Sequence, residues 1–151
     1  MILHDEAETR ALAGAILPWL RPGDCLLLDG PVGAGKSAFA RALIQAQMAL
    51  DGRIEDVPSP TFTLVQTYDT GIGEIWHADL YRLASPDEVV ELGLDAAMAQ
   101  AITLIEWPDR LGPELPPRHL RLRFDPMDDA DARRLTPKHA GPGWDWLAAV
   151  I

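Results

Sequence analysis

Lysine is nearly missing from this chain of 151 residues. Its 13 basic side chains are eleven arginines and two lysines, Lys36 and Lys138, set against 23 acidic ones for a formal charge of -10. So acidic a balance excludes a protein that coats nucleic acid by charge alone, because that needs clustered Lys and Arg. Cysteine occurs once, as Cys25. No internal disulfide can form, and nothing points to an oxidising compartment. Within Cys25-Leu26-Leu27-Leu28 the thiol reads as a small buried hydrophobe rather than a nucleophile. Long apolar runs are also missing. The stretch Ala15 to Leu20 is too short for a signal core or a membrane span, and Met1 to Glu6 is acidic with no basic flank. The expectation is a soluble, cytoplasmic protein. What the chain does have is a 48% hydrophobic fraction, which supports a packed core and excludes a mainly disordered chain. Its length fits one domain of roughly 100–200 residues, here 1–151.

Asp5 with Glu8 predicts a capping box, followed by Leu12, Ile16 and Trp19 or Leu20 at helical spacing, ended by Pro22-Gly23. Residues 24–29 form an apolar run of strand length, 30–35 are glycine-rich, and 37–50 show helical periodicity closed by Asp51-Gly52. Strands are expected over 62–68 and 74–79, joined at Gly71 and Gly73 as an antiparallel hairpin. Ser85-Pro86-Asp87-Glu88 starts a helix that Gly93 stops. Ile102 to Glu106 predicts a buried strand, Pro113 to Pro117 a connector, and His119 to Phe124 a half-exposed strand. An acidic turn follows over 125–131, then an edge strand near Leu135 and a closing helix over 144–150. The sum is an α/β chain with a mixed sheet flanked by helices.

Gly30-Pro31-Val32-Gly33-Ala34-Gly35-Lys36-Ser37 satisfies G-x-x-x-x-G-K-[ST] at every fixed position. Glycines let successive backbone N–H groups converge on an anion, and the following helix aims its positive end at the same point. A lysine there reaches the terminal phosphates, and the hydroxyl can serve Mg²⁺. One of only two lysines therefore stands where a phosphate-binding charge is required. With a strand before it and a helix after, the motif predicts a P-loop NTPase-type fold. From this composition it arises by chance in roughly one sequence in a thousand.

Two apolar strands end in carboxylates, Ile102-Thr103-Leu104-Ile105-Glu106 and Ile75-Trp76-His77-Ala78-Asp79. An acid at a strand end beside a phosphate loop can hold a metal, directly or through water. Ser59-Pro60-Thr61-Phe62-Thr63 supplies hydroxyls where a switch segment would meet the γ-phosphate. His77 is given no role, and Arg82 is expected in a structural ion pair, with a charge-stabilising role as the alternative. Trp144 and Trp146 are expected as core and rim of the closing helix.

The ordered set Gly30 to Ser37, Ser59-Pro60-Thr61-Phe62-Thr63-Leu64-Val65, His77-Ala78-Asp79-Leu80-Tyr81-Arg82-Leu83 and Leu104-Ile105-Glu106-Trp107-Pro108 resembles the TsaE family. These small bacterial ATPases act in threonylcarbamoylation of the adenosine beside the anticodon of certain tRNAs. The resemblance implies ATP and Mg²⁺ as cofactors. It implies that Gly30, Pro31, Val32, Gly33, Ala34, Gly35, Lys36, Ser37 and Ala38 surround the nucleotide, with Glu6 and Arg133 approaching it. Ser37, Glu106 and Asp79 would serve the metal. Lys36, Asp79, Glu106 and Thr61 would carry the chemistry, and Trp107 and Arg82 would lie beside the site or against a partner. The implied partners are TsaD and TsaB, with tRNA held mainly by them. Pro31 and Ala78 depart from the Asp and Phe that family members more often carry, and Ser37 replaces the commoner Thr.

Two other readings compete. Small-molecule kinases share the phosphate loop, but they usually carry an Arg-rich lid, whereas Arg118, Arg121 and Arg123 alternate with apolar residues as in a strand. A GTPase would need an Asn-Lys-x-Asp base reader, which is absent; Asp109-Arg110-Leu111-Gly112 matches D-x-x-G only by chance. A nucleotide-binding regulatory module without turnover remains a further alternative.

Overall fold

Asp5 caps the first helix, α1 (Glu6–Ile16), by accepting a 2.9 Å hydrogen bond from the Glu8 N–H. The reciprocal half of the box shifts by one residue, since the Glu8 carboxylate accepts from the His4 N–H at 2.6 Å. The computed structural model describes residues 1–151. A two-residue strand, β1 (Ile2–Leu3), precedes α1. Next come β2 (Cys25–Asp29) and α2 (Lys36–Leu50), so the expected strand, glycine loop and helix stand in that order. The hairpin is β3 (Val65–Thr70) with β4 (Gly73–Asp79). Helices α3 (Asp87–Glu91) and α4 (Leu94–Gln100) lead into β5 (Ile102–Glu106). Short 3₁₀ turns over Pro108–Glu114 precede β6 (His119–Pro126) and β7 (Arg133–Ala140).

All seven strands share one sheet in the order β1-β7-β6-β2-β5-β4-β3. Strands β6, β2, β5 and β4 are parallel, while β7, β3 and β1 pair antiparallel outside them. The centre falls to β2 and β5 because both are apolar on both faces, as covered parallel strands must be. Every residue of β5 is buried, as is all of β2 but Asp29. Leu26 and Leu28 point to one face, where α1 and α2 pack with Phe39, Leu43 and Ile44. Cys25 and Leu27 point to the other, under α3 and α4 with Val89, Leu94 and Met98.

Three expectations change. The strand foreseen over 62–68 begins only at Val65, because 61–64 form a turn. There Leu64, at φ 67°, donates its N–H to the Pro60 carbonyl (2.7 Å) and accepts from the Asp79 N–H (2.8 Å). Helix α4 was not foreseen; Gly93, at φ 76°, ends α3 and immediately restarts the chain as α4. The strand at Leu135 is not an edge, since β1 covers it. The closing helix expected over 144–150 is present as a 3₁₀ helix, Asp145–Ala149. No helix is long and apolar enough to cross a membrane.

Register builds the site. Glu106 lies opposite Leu28 on one side and Asp79 on the other. The C-terminal ends of β2, β5 and β4 are therefore level. That edge, where connections leave in opposite directions, is where open α/β sheets bind ligands.

Candidate functional site

The loop between β2 and α2 is shaped by backbone approach. Gly30, at φ 141°, lies so near β6 that a Cβ there would stand 2.3 Å from the Phe124 carbonyl oxygen. Gly33, at φ 79°, has open space around its Cα. Lys36 opens α2 and is only 4% exposed. Its ammonium donates to the Gly30 carbonyl and sits 3.6 Å from the centroid of the Trp107 ring. Burial holds that ammonium below the ordinary lysine range, opposed by the carboxylates of Glu106, Asp79 and Asp29. The charge is thus desolvated and offset by the surrounding carboxylates.

Glu106 is 2% exposed and engaged at both oxygens. The Ser37 hydroxyl donates to Oε1 at 2.8 Å, and His77 Nε2 lies 2.7 Å from Oε2. A carboxylate only accepts, so the imidazole carries its proton on Nε2. His77 is fully buried, with no partner at Nδ1. Sequence reasoning passed it over. The available signal was its place two residues before Asp79, which puts both side chains on one face of β4. Asp79 is itself buried; Oδ2 accepts from the Thr61 hydroxyl at 3.4 Å and Oδ1 from the Tyr81 N–H at 3.1 Å.

No three His, Cys, Asp or Glu side chains gather closely enough to form a metal cage. The donor set here is instead one hydroxyl, Ser37, with the carboxylates of Glu106 and Asp79. That set fits a hard ion such as Mg²⁺, which keeps waters and takes phosphate oxygens rather than an all-protein shell.

These groups line one cleft of about 470 Å³. It brings together Val32, Gly33, Gly35, Lys36, Ser37, Ala38, Glu6, Thr61, Asp79, Glu106, Trp107, Arg82 and Arg133. Gly30 and Ala34 lie buried beneath the loop, and Pro31 stands exposed outside the lining. Tyr81, Arg41, Thr9 and Asp131 also reach the cleft and were not foreseen. Tyr81 packs on Trp107 with ring centroids 5.0 Å apart. Trp107, at φ 57°, turns the chain sharply after β5. Arg82 makes no ion pair, contrary to expectation. Its guanidinium lies 4.8 Å from the ring centroid of Phe62, which is 83% exposed. The nearest acid of its segment, Asp79, is already turned inward onto Thr61 and the Tyr81 N–H. Arg133 directs its donors at the carbonyls of Gly33 and Ala34.

The family model described as "Threonylcarbamoyl adenosine biosynthesis protein TsaE" matches residues 3–135. Among curated proteins, the chain is 40% identical over 129 residues to the tRNA threonylcarbamoyladenosine biosynthesis protein TsaE of Rickettsia felis, covering 85% of this chain and 74% of that one. It is 33% identical over 145 residues to the protein of that name from Bacillus subtilis, covering 95% and 87%. Among solved structures, the crystal structure of Bacillus subtilis YdiB superposes with a TM-score of 0.77 at 27% identity, over 99% of this chain and 90% of that one.

Proposed function

The chain belongs to the TsaE family of threonylcarbamoyl adenosine biosynthesis proteins, and from that premise we propose that it binds ATP with Mg²⁺ and hydrolyses it to ADP and phosphate. The observation that carries the reading is the contact of Ser37 with Glu106 at 2.8 Å, in the same cleft as a buried Lys36. A hydroxyl at the start of α2 and a carboxylate at the end of β5 have no packing reason to meet in a polar cleft. Together they frame the place where a metal-bound triphosphate would lie.

Each residue has a task. The loop's N–H groups and the first turn of α2 attract the phosphates. Lys36, held between the Gly30 carbonyl and the Trp107 ring, supplies a fixed positive charge where negative charge builds up. Ser37, Glu106 and Asp79 would hold Mg²⁺, which would neutralise charge on the phosphate oxygens. His77 keeps Glu106 oriented through Oε2, leaving Oε1 toward Ser37. Thr61 and Asp79, linked at 3.4 Å, are the groups placed to orient an attacking water. Trp107 and Tyr81 form one wall and limit entry of other water.

A kinase reading is disfavoured by the arginines it would need. Arg118 pairs with Asp24 at 2.7 Å, Arg121 with Asp29 at 3.2 Å and Arg123 with Asp125 at 3.0 Å. None of the three lines the cleft; of the arginines that do, Arg133 is tied to the loop carbonyls, which leaves Arg41 and Arg82 rather than an Arg-rich lid. By family membership, hydrolysis would serve tRNA threonylcarbamoyladenosine modification carried out by TsaD and TsaB, in the cytoplasm. With a net charge of -10, tRNA would be held mainly by those partners.

Phosphate release from ATP, measured with and without TsaD and TsaB, tests the proposal. Lys36→Ala abolishes release, and Glu106→Ala removes Mg²⁺-dependent turnover. Normal turnover by Lys36→Ala overturns the ATPase reading, and a rate and affinity indifferent to the partners overturn the coupling.

A further inference from the structure

Arg133 is the first residue of β7, yet its guanidinium is committed to the phosphate loop. Nε donates to the Ala34 carbonyl at 2.9 Å, and Nη2 donates to the Gly33 carbonyl at 2.9 Å. Nη1 donates to the carbonyls of Ala130 (2.7 Å) and Ala132 (3.0 Å), tying the same fork to the turn before β7. Of the five N–H donors of a guanidinium, these bonds occupy all but one. The side-chain stem lies against Gly35, where an added Cβ would come within 4.0 Å of Arg133 Cγ and Nε.

A trans peptide sets its C=O and N–H on opposite sides. Pinning the Ala34 carbonyl to Arg133 therefore turns the Gly35 N–H to the opposite side of the loop. Pinning the Gly33 carbonyl does the same for the Ala34 N–H, which donates to the Pro31 carbonyl at 3.2 Å and closes the loop's internal turn. A glycine-rich segment left alone samples many conformations, and a ligand must freeze them. Here a charged fork from a distant strand freezes them beforehand.

We propose that Arg133 is a positioning residue, a latch that holds the phosphate loop in its anion-ready shape before any nucleotide arrives. The consequence for ATP rests on the function proposed above; the consequence for the free loop does not. The planar fork is essential, because it grips two successive carbonyls at once. An ammonium carries the same charge but not that geometry.

Amide hydrogen exchange of the nucleotide-free protein tests this, comparing wild type with Arg133→Met and Arg133→Lys. The expected result is faster exchange at the Ala34 N–H, the one amide of 31–37 that is hydrogen-bonded, by at least about tenfold, the loss of roughly one net hydrogen bond from a charged donor. Peptides covering β5 stay unchanged. In parallel, the KM for ATP rises by a similar factor while kcat at saturating ATP holds. Unchanged exchange over 31–37 overturns the latch, even if ATP affinity falls, because Arg133 would then act on the nucleotide itself. Exchange rising equally in β5 in both variants also overturns it, by making Arg133 an ordinary fold contact. If loop exchange rises as expected but the wild-type chain binds no ATP, the latch stands and the ATPase reading falls.

Discussion

Two glycines of one loop should respond very differently to the same added methyl group. At Gly30 an alanine Cβ would stand 2.3 Å from the Phe124 carbonyl oxygen and 3.3 Å from Ala34 Cβ, in a backbone at φ 141°. The obstacle is backbone, not a side chain that can turn aside. Phe124 sits in β6, whose pairing with β2 is fixed immediately before it, with Asp29 opposite Arg123. Relief needs a shift of about 1 Å in a central strand pair. Overpacking of a tight interior costs about 1–3 kcal/mol, and an unfavourable positive φ adds about 1–2 kcal/mol. Gly30→Ala should therefore lose roughly 2–5 kcal/mol of stability. Gly33 also has a positive φ, 79°, but nothing within 4 Å of an added Cβ. Gly33→Ala should lose only the conformational share, about 1–2 kcal/mol. Urea unfolding followed by tryptophan fluorescence measures both. Gly30→Ala should also disturb Lys36, which donates to the Gly30 carbonyl. Equal stability of the two variants would refute the argument, since it would mean that β6 yields where the register says it cannot.

Other outcomes follow from buried groups. Burial pushes the Cys25 thiol up to about 12 from an ordinary 9.0. Its folded value lies above the unfolded one, so the stability it contributes is fully present below pH 9.0 and is lost as pH rises toward 12. Between pH 8 and pH 10 the wild type should lose stability relative to Cys25→Ala, on the order of 1 kcal/mol; parallel urea curves for the two proteins at both pH values check this. His77→Phe removes the donor to Glu106 Oε2 and should cost about 1–3 kcal/mol. His77→Gln can still donate and should recover part of that loss in the same unfolding assay, and a Gln variant no more stable than Phe would deny the hydrogen bond its role.

The strand, loop and helix around Gly30 to Ser37 were legible because three signals coincide within a few residues: an apolar run, a fixed motif and a helical period. The carboxylates were legible as strand ends, but the register that levels Asp79 with Glu106 is a tertiary pairing that neither strand's own sequence announces. His77 was not legible. A histidine on a strand announces nothing until the partner strand shows which acid it faces. Helix α4 escaped because Leu94–Gln100 carries no side-chain cap and follows α3 after a single glycine turn. Residues 62–64 resemble a strand locally, but their turn is set by a tertiary bond, from the Asp79 N–H to the Leu64 carbonyl. β1 covers β7 with two residues, too few for any period to register. Arg82 was expected to pair with an acid, yet Asp79 is turned inward onto Thr61 and the Tyr81 N–H, and the Arg82 guanidinium lies over the Phe62 ring instead.

The central position of β2 also bears on how the protein is made. Its flanking strands, β5 and β6, are synthesised long after it, and Arg133 later still. The phosphate-loop motif, Gly30 to Ser37, therefore leaves the ribosome before either neighbour of β2 exists. Pairing between strands so far apart in the chain is slow to form. Translation that stops short of residue 119 should leave a fragment with an intact motif and no capacity to grip a triphosphate. Under the function proposed above, nucleotide binding would be acquired only after β6 and Arg133 have been made.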